Sequence, residues 1–245
     1  MKKRLLSVAF AALSLLSTVH ADDVLRIATE GAYPPFNNMT ADGKLVGFDV
    51  DIANVLCAAM ERQCEIVAQD WDGIIPGLVN NKYDAIIASM SITEERLAAI
   101  NFSSPYYSNY LSIIGTAETK LDMDSLGKVA FGAQRSTVGS QWSEEKYGTR
   151  ADLRLYDTNL AAVSDLEAGR IEAVVMDFLP GADFVGKNPE LGFITRKIDI
   201  EDKIGIGIRK GEDDLTEAFN AALKAIRDDG TYKAISVEYF GTDIF

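Results

Sequence analysis

Between Ala88 and Tyr107 the chain gathers residues able to hold a small charged molecule: the hydroxyls of Ser89, Ser91 and Thr93, then Glu94, Glu95 and Arg96. The preceding run, Tyr83 to Ile87, reads as a buried strand. Thr93 reads as a helix N-cap, with Glu94 and Glu95 in the first turn where the dipole favours anions. A strand that empties into hydroxyl residues and then a helix start leaves backbone N–H groups unpaired at its mouth. Such a mouth holds carboxylates or phosphates. Arg96 stands there against the dipole. Its guanidinium can grip a carboxylate with two parallel hydrogen bonds or pair with a surface acid, and this stretch alone does not decide between them.

The first residues set the compartment. Lys2, Lys3 and Arg4 precede an apolar run from Leu5 to Leu16, and Val19-His20-Ala21 ends in small residues. This pattern predicts a secretory signal peptide over 1–21, cleaved after Ala21, and a soluble protein delivered to the periplasm. No later run is long enough to span a membrane. Cleavage removes three of 24 basic residues and none of 37 acidic ones, leaving a net charge of −16. So acidic a chain is not expected to bind nucleic acid or anionic lipid.

The only histidine, His20, leaves with the leader. Ser-His-Asp and Cys-His catalysis and His-containing zinc sites are thereby excluded, and no metal or other cofactor is expected. Cys57 and Cys64, the only cysteines, enter an oxidising compartment, where a disulfide fits better than a nucleophile or a metal pair.

The elements that must position these residues alternate. Val24 to Thr29 reads as a strand leading into a Gly/Pro loop, Glu30 to Phe36. Apolar spacing over Phe48 to Met60 predicts a helix, followed by a strand at Glu65 to Gln69 and a helix at Gly73 to Asn80. Further strands are expected at Leu111 to Thr116, Lys128 to Ala133, Ile171 to Met176 and Ile204 to Arg209. Helices are expected at Val138 to Tyr147, Leu160 to Ala168, Asp214 to Ile226 and Tyr232 to Tyr239. This order predicts an α/β fold with mostly parallel sheet. One segment, Leu78 to Ala88, can be laid on Leu166 to Met176, which makes Ser89 and Asp177 equivalent strand ends. Two lobes of like design, with a ligand cleft at their strand ends, are the natural inference.

Gly47-Phe-Asp-Val-Asp-Ile-Ala-Asn-Val-Leu-Cys-Ala-Ala-Met60 resembles the signature of the polar amino-acid-binding proteins of bacterial ABC importers (solute-binding protein family 3). Tyr33 to Phe36, Asp70 to Pro76, Ser91 to Arg96 and Asp229 to Lys233 extend the likeness over the mature chain. The Cys57/Cys64 spacing is similar to the disulfide of the lysine/arginine/ornithine/histidine branch. The resemblance implies a two-lobed periplasmic binding protein of type II, with two hinge strands and a cleft between lobes. Lobe 1 would comprise 22–109 plus 207–245 and lobe 2 113–200, with crossings near Ser108 to Leu111 and Lys203 to Gly205. It implies a monomeric binder, not an enzyme, that delivers a small-molecule amino acid or opine to an inner-membrane permease.

Carried over by that resemblance, Arg96 would hold an α-carboxylate, helped by the backbone N–H groups of Ser91 and Thr137. Asp177 would face the α-ammonium with the Ser89 carbonyl and the Ser91 hydroxyl, Met90 lying between them in the same segment. Ser136 shares the helix mouth of Gln134 to Thr137, which an ordinary N-cap also explains. Tyr33 and Trp71 would sandwich the side chain. Glu30 stands where relatives that bind cationic amino acids carry Asp, and would meet a distal ammonium or guanidinium. Arg135, at the rim, would meet the extra carboxylate of an opine or point to solvent. The competing reading is an enzyme resembling the cyclohexadienyl dehydratases of the same scaffold, with Glu30 or Asp177 as general acid.

Overall fold

A computed structural model describes residues 24–148 and 151–245; the expected leader lies outside the described residues. The chain opens with β1 (Leu25–Thr29), then a small antiparallel sheet of β2 (Ala32–Tyr33), β3 (Asn37–Met39) and β4 (Leu45–Val46). Next come α1 (Phe48–Ala59), β5 (Cys64–Ala68), α2 (Trp71–Val79), β6 (Ala85–Ile86), α3 (Glu94–Ala99) and β7 (Asn101–Phe102). The long strand β8 (Tyr107–Thr116) leads to β9 (Ala130–Gln134), α4 (Val138–Tyr147), β10 (Asp152–Tyr156), α5 (Asn159–Glu167), β11 (Ala173–Asp177) and α6 (Phe178–Lys187). The chain returns through β12 (Leu191–Ile204) and β13 (Gly207–Ile208) and ends in α7 (Asp213–Asp228) and α8 (Thr231–Phe240).

Two five-stranded sheets organise these elements, in the orders β5-β1-β6-β13-β7 and β10-β9-β11-β8-β12. In each, the first three strands are parallel and the last two pairings antiparallel. The sheets are therefore mixed, with one strand in each, β13 or β8, running against the other four, so four of five strands share one direction. Such a counter-running strand pairs antiparallel without a crossover helix. The sequence echo coincides with this symmetry, since α2–β6 and α5–β11 each feed the third strand of their sheet.

α1 forms because Phe48, Ile52, Ala53 and Leu56 recur on one helical face, which is buried against Phe219, Leu223 and Ile226 of α7. Gly47 makes that start possible. Its φ is +128°, and a Cβ there would stand 2.3 Å from the Phe36 carbonyl oxygen. Cys57 and Cys64 form a disulfide that ties the end of α1 to β5. The second sheet is covered on both faces by separate clusters, one around Val163, Leu166 and Val174, the other around Phe131, Leu126 and Val175.

Besides the short strands β2, β3, β4 and β7, two longer elements escaped the sequence reading. α6 carries Pro180 in its first turn, where the missing N–H costs nothing. Its Gly181 meets the Ser112 hydroxyl so closely that a Cβ would lie 2.7 Å away. β12 lacks clean alternation because its pairing with β8 shifts register three times. Its last residues, Asp202 to Ile204, pair with Tyr107 to Asn109, so β8 and β12 run side by side from one sheet towards the other.

Candidate functional site

A cavity of about 420 Å³ lies where the strand ends of the two sheets face each other, lined on one side by Glu30, Tyr33, Trp71, Ser89, Ser91 and Arg96. Gln134, Thr137, Asn159 and Asp177 line the other side.

Thr93 caps α3 through its side chain, which accepts from the Arg96 N–H at 3.2 Å. The cap fixes the backbone from which Arg96 reaches the cavity. Its Nη1 donates to the Ser91 carbonyl at 2.9 Å and its Nη2 to the Ser136 carbonyl at 3.0 Å. The guanidinium lies 5.2 Å from the Trp71 ring centre, and Trp71 Nε1 donates to the same Ser136 carbonyl at 3.1 Å. Burial pulls the Arg96 pKa down, while the charges of Asp202 and Asp177 oppose that. Arg96 forms no ion pair among the described residues, so its charge is balanced at a distance only.

Asp177, at the end of β11, accepts a hydrogen bond from the Tyr33 hydroxyl. Burial raises its pKa to about 6, with the Tyr33 and Asn109 hydrogen bonds working the other way. Glu30 follows β1 and is 8 % exposed. Its Oε1 accepts from Gln134 Nε2 at 2.7 Å. Burial lifts the Glu30 pKa to about 7, the Gln134 bond opposes it, and the charges of Asp70 and Asp72 add to the rise.

Ser89 takes the left-handed conformation, with φ +51°. Its hydroxyl donates to Asp49 Oδ2 at 2.9 Å, and its N–H to the Tyr106 hydroxyl at 3.1 Å. Tyr106 and Asn37 also donate to Asp49, at 2.7 and 2.9 Å. Asp49 is completely buried, and that burial raises its pKa to about 6. It holds Ser89 from behind. The Ser91 hydroxyl likewise turns away from the cavity, donating to Asp202 Oδ2 at 2.9 Å, where Asn109 Nδ2 donates at 2.8 Å.

Other expected residues land elsewhere. Met90 is 0 % exposed and packs with Ala28, Ile74 and Ile100 in the core, outside the cavity lining. The Thr137 N–H donates to Ser140 Oγ at 3.2 Å within a capping box, so it is already engaged. Ser136, at φ +59°, contributes its carbonyl to Arg96 and Trp71. Arg135 stays outside the cavity lining: Nη2 pairs with Asp157 at 3.0 Å and Nη1 with Asp72 at 3.8 Å. Asp70 and Asp72 line a neighbouring hollow.

Four residues were missed. Gln134, Asp49 and Asp202 act through the hydrogen bonds above, and Asn159 lines the cavity with its Oδ1 buried and without a partner. Gln134 had a signal, as the strand-end residue before a helix mouth. Asp49 and Asp202 have partners too distant in sequence to be read from one chain, and Asn159 reads as an ordinary residue after the Thr158 cap.

The cavity therefore presents one cation, Arg96, against the carboxyls of Glu30 and Asp177 and the unpartnered acceptor of Asn159. It suits a molecule with a carboxylate and an excess of N–H donors.

Comparison with known proteins agrees with this geometry. Residues 25–242 match the model of the bacterial extracellular solute-binding proteins, family 3. The chain is 38 % identical to the L-arginine-binding protein of Pseudomonas aeruginosa, covering 99 % of this chain and 98 % of that one. It is 36 % identical to the octopine-binding periplasmic protein of Rhizobium meliloti, covering 98 % and 99 %. An ancestral arginine-binding protein bound to arginine superposes with a TM-score of 0.84 at 33 % identity, covering 89 % of this chain and 98 % of that one. With a family match from β1 to beyond α8 and relatives of this identity over nearly the whole chain, the protein belongs to the bacterial extracellular solute-binding proteins, family 3.

Proposed function

We propose that this protein is the periplasmic solute-binding subunit of an ABC importer, capturing a cationic L-amino acid, arginine foremost, and handing it to the membrane permease. The observation that carries this reading is the imbalance of the cavity, with Glu30, Asp177 and Asn159 facing Arg96 alone. A zwitterion satisfies Arg96 and Asp177, and a guanidinium or ammonium at the far end satisfies Glu30. In this reading Arg96 takes the α-carboxylate, Asp177 the α-ammonium, and Tyr33 and Trp71 wall the stem. Residues 1–21 act as the cleaved leader, and the protein works as a monomer. The lobes comprise 22–109 with 207–245, and 113–200. The antiparallel pairing of Tyr107 to Asn109 with Asp202 to Ile204 supports a crossing there.

An opine is the second reading, favoured by the identity to the octopine binder. Its additional carboxylate would need a cation, and Arg135 would have to leave Asp72 and Asp157 to supply one. The dehydratase reading lacks such support: burial accounts for the raised Glu30 and Asp177 carboxyls, and the relatives of highest identity above are binding proteins.

The test is a thermal-shift panel on ligand-stripped protein with arginine, lysine, ornithine, histidine, glutamine, octopine and nopaline. A ligand that binds the native state alone raises the melting temperature by mass action. Shifts with the cationic amino acids support the reading; a shift with glutamine and none with any cation refutes it. A shift confined to opines moves the specificity to the second reading.

A further inference from the structure

Beyond Glu30 and Trp71 the cleft continues into a second hollow of about 730 Å³, lined by Ala32, Asp70, Asp72, Asp157 and Thr158. Glu30 and Trp71 line both spaces, so the hollow begins where the end of a captured side chain would lie. Glu30 is more than nine-tenths buried, and one of its two carboxylate oxygens has no partner. Gln134 occupies Oε1, and Oε2 accepts no hydrogen bond among the described residues. A single guanidinium N–H to Oε2 therefore completes the pairing of Glu30, with Gln134 serving the other oxygen.

That geometry has a chemical consequence. Alkylation of a guanidinium or ammonium keeps its charge and removes N–H donors. A site that asks for the whole fork rejects such a cation, because an acceptor is left unpaired. A site that asks for one N–H and opens onto further space does not. The wall beyond is suited to a bulky soft cation, with an indole for its methyl groups and the Asp70 carboxylate for its charge, Asp72 and Asp157 being paired with Arg135.

We propose that this cleft also takes amino acids whose side chain ends in an N-alkylated cation, with Nω-methylated arginines as the best-fitting class and the methyl groups lodged in the hollow beyond Glu30. The inference rests on the cationic amino-acid reading above. Nω,Nω-dimethylarginine keeps N–H groups on its unmethylated nitrogens, enough for Glu30 Oε2 and the Asn159 carbonyl.

The test is calorimetric titration of the ligand-stripped full-length mature protein with arginine and Nω,Nω-dimethylarginine. Dimethylarginine is expected to bind within about tenfold of arginine, whereas a closed pocket discriminates by roughly 10- to 200-fold per added methylene-sized group. Ala32→Leu, which narrows the hollow without touching the cavity-lining set, is expected to leave arginine within about threefold and to weaken dimethylarginine by about tenfold or more. Tight arginine binding with loss of dimethylarginine beyond about 100-fold overturns the inference and spares the reading of the cleft. Equal effects of Ala32→Leu on both ligands also overturn it. If neither compound binds, the cationic reading itself falls, and this inference with it.

Discussion

Replacing Glu30 by Gln tests the electrostatics of the cleft most directly. Burial lifts the Glu30 carboxyl from 4.5 to about 7. At 1.36 kcal/mol per pH unit, keeping it ionised in the ligand-free protein costs about 3 kcal/mol. Gln has nearly the same shape, can still accept from Gln134, and carries no charge. Ligand-free Glu30→Gln is therefore expected to melt roughly 6–12 °C above the parent near pH 8, at 2–4 °C per kcal/mol for a chain of this size. The gain should vanish near pH 5, where the parent carboxyl is itself protonated. Arginine affinity moves the other way. Losing a charge-assisted hydrogen bond of about 1.5–3 kcal/mol weakens binding by roughly 10- to 100-fold. Melting at two pH values and calorimetry with arginine read all three effects. Unchanged arginine affinity, or a lower melting temperature near pH 8, would refute the assignment of Glu30 as the distal cation partner.

Arg96→Ala should abolish measurable amino-acid binding, since removing one partner of a buried charge pair costs about 3–5 kcal/mol; calorimetry on the folded variant checks this, and near-native affinity would sink the carboxylate role. The ligand-free parent should lose stability as pH rises. Glu30, at about 7, and Asp177 and Asp49, at about 6, all bind protons more tightly folded than unfolded. Their stabilising contribution is full below about pH 4 and lost through pH 6–7, which denaturant melts across pH 4–8 will show. Asp49→Ala leaves the donors of Asn37, Ser89 and Tyr106 without their acceptor and should cost about 3 kcal/mol or more by chemical denaturation. Gly47→Ala should be as damaging, because its Cβ would enter the Phe36 carbonyl and φ +128° strains any side chain.

Much of the scaffold was readable from local pattern. The buried stripe of α1, the Thr93 cap and the amphipathic α7 are set by neighbours within a few residues. The echo between Leu78–Ala88 and Leu166–Met176 brought Asp177 beside Ser89 before any geometry was known. The core position of Met90 was not legible, since the left-handed backbone at Ser89 breaks the alternation that an extended segment would give. The Glu30–Gln134 bond joins residues 104 apart in the chain, and nothing local to either predicts it. β12 and α6 were hidden for opposite reasons, one by repeated register shifts, the other by Pro and Gly that ordinarily mark loops.

The division of the site between two sheets makes the protein a coincidence detector. Arg96 and Glu30 stand on the polypeptide around β1, while Asp177 and Asn159 stand around β9 and β11. A metabolite with only a carboxylate can engage Arg96 alone and bridges nothing. A molecule carrying both charges at the right separation ties the halves together, so the two requirements multiply. Discrimination of this kind is a logical conjunction, enforced by which strand ends carry which charge.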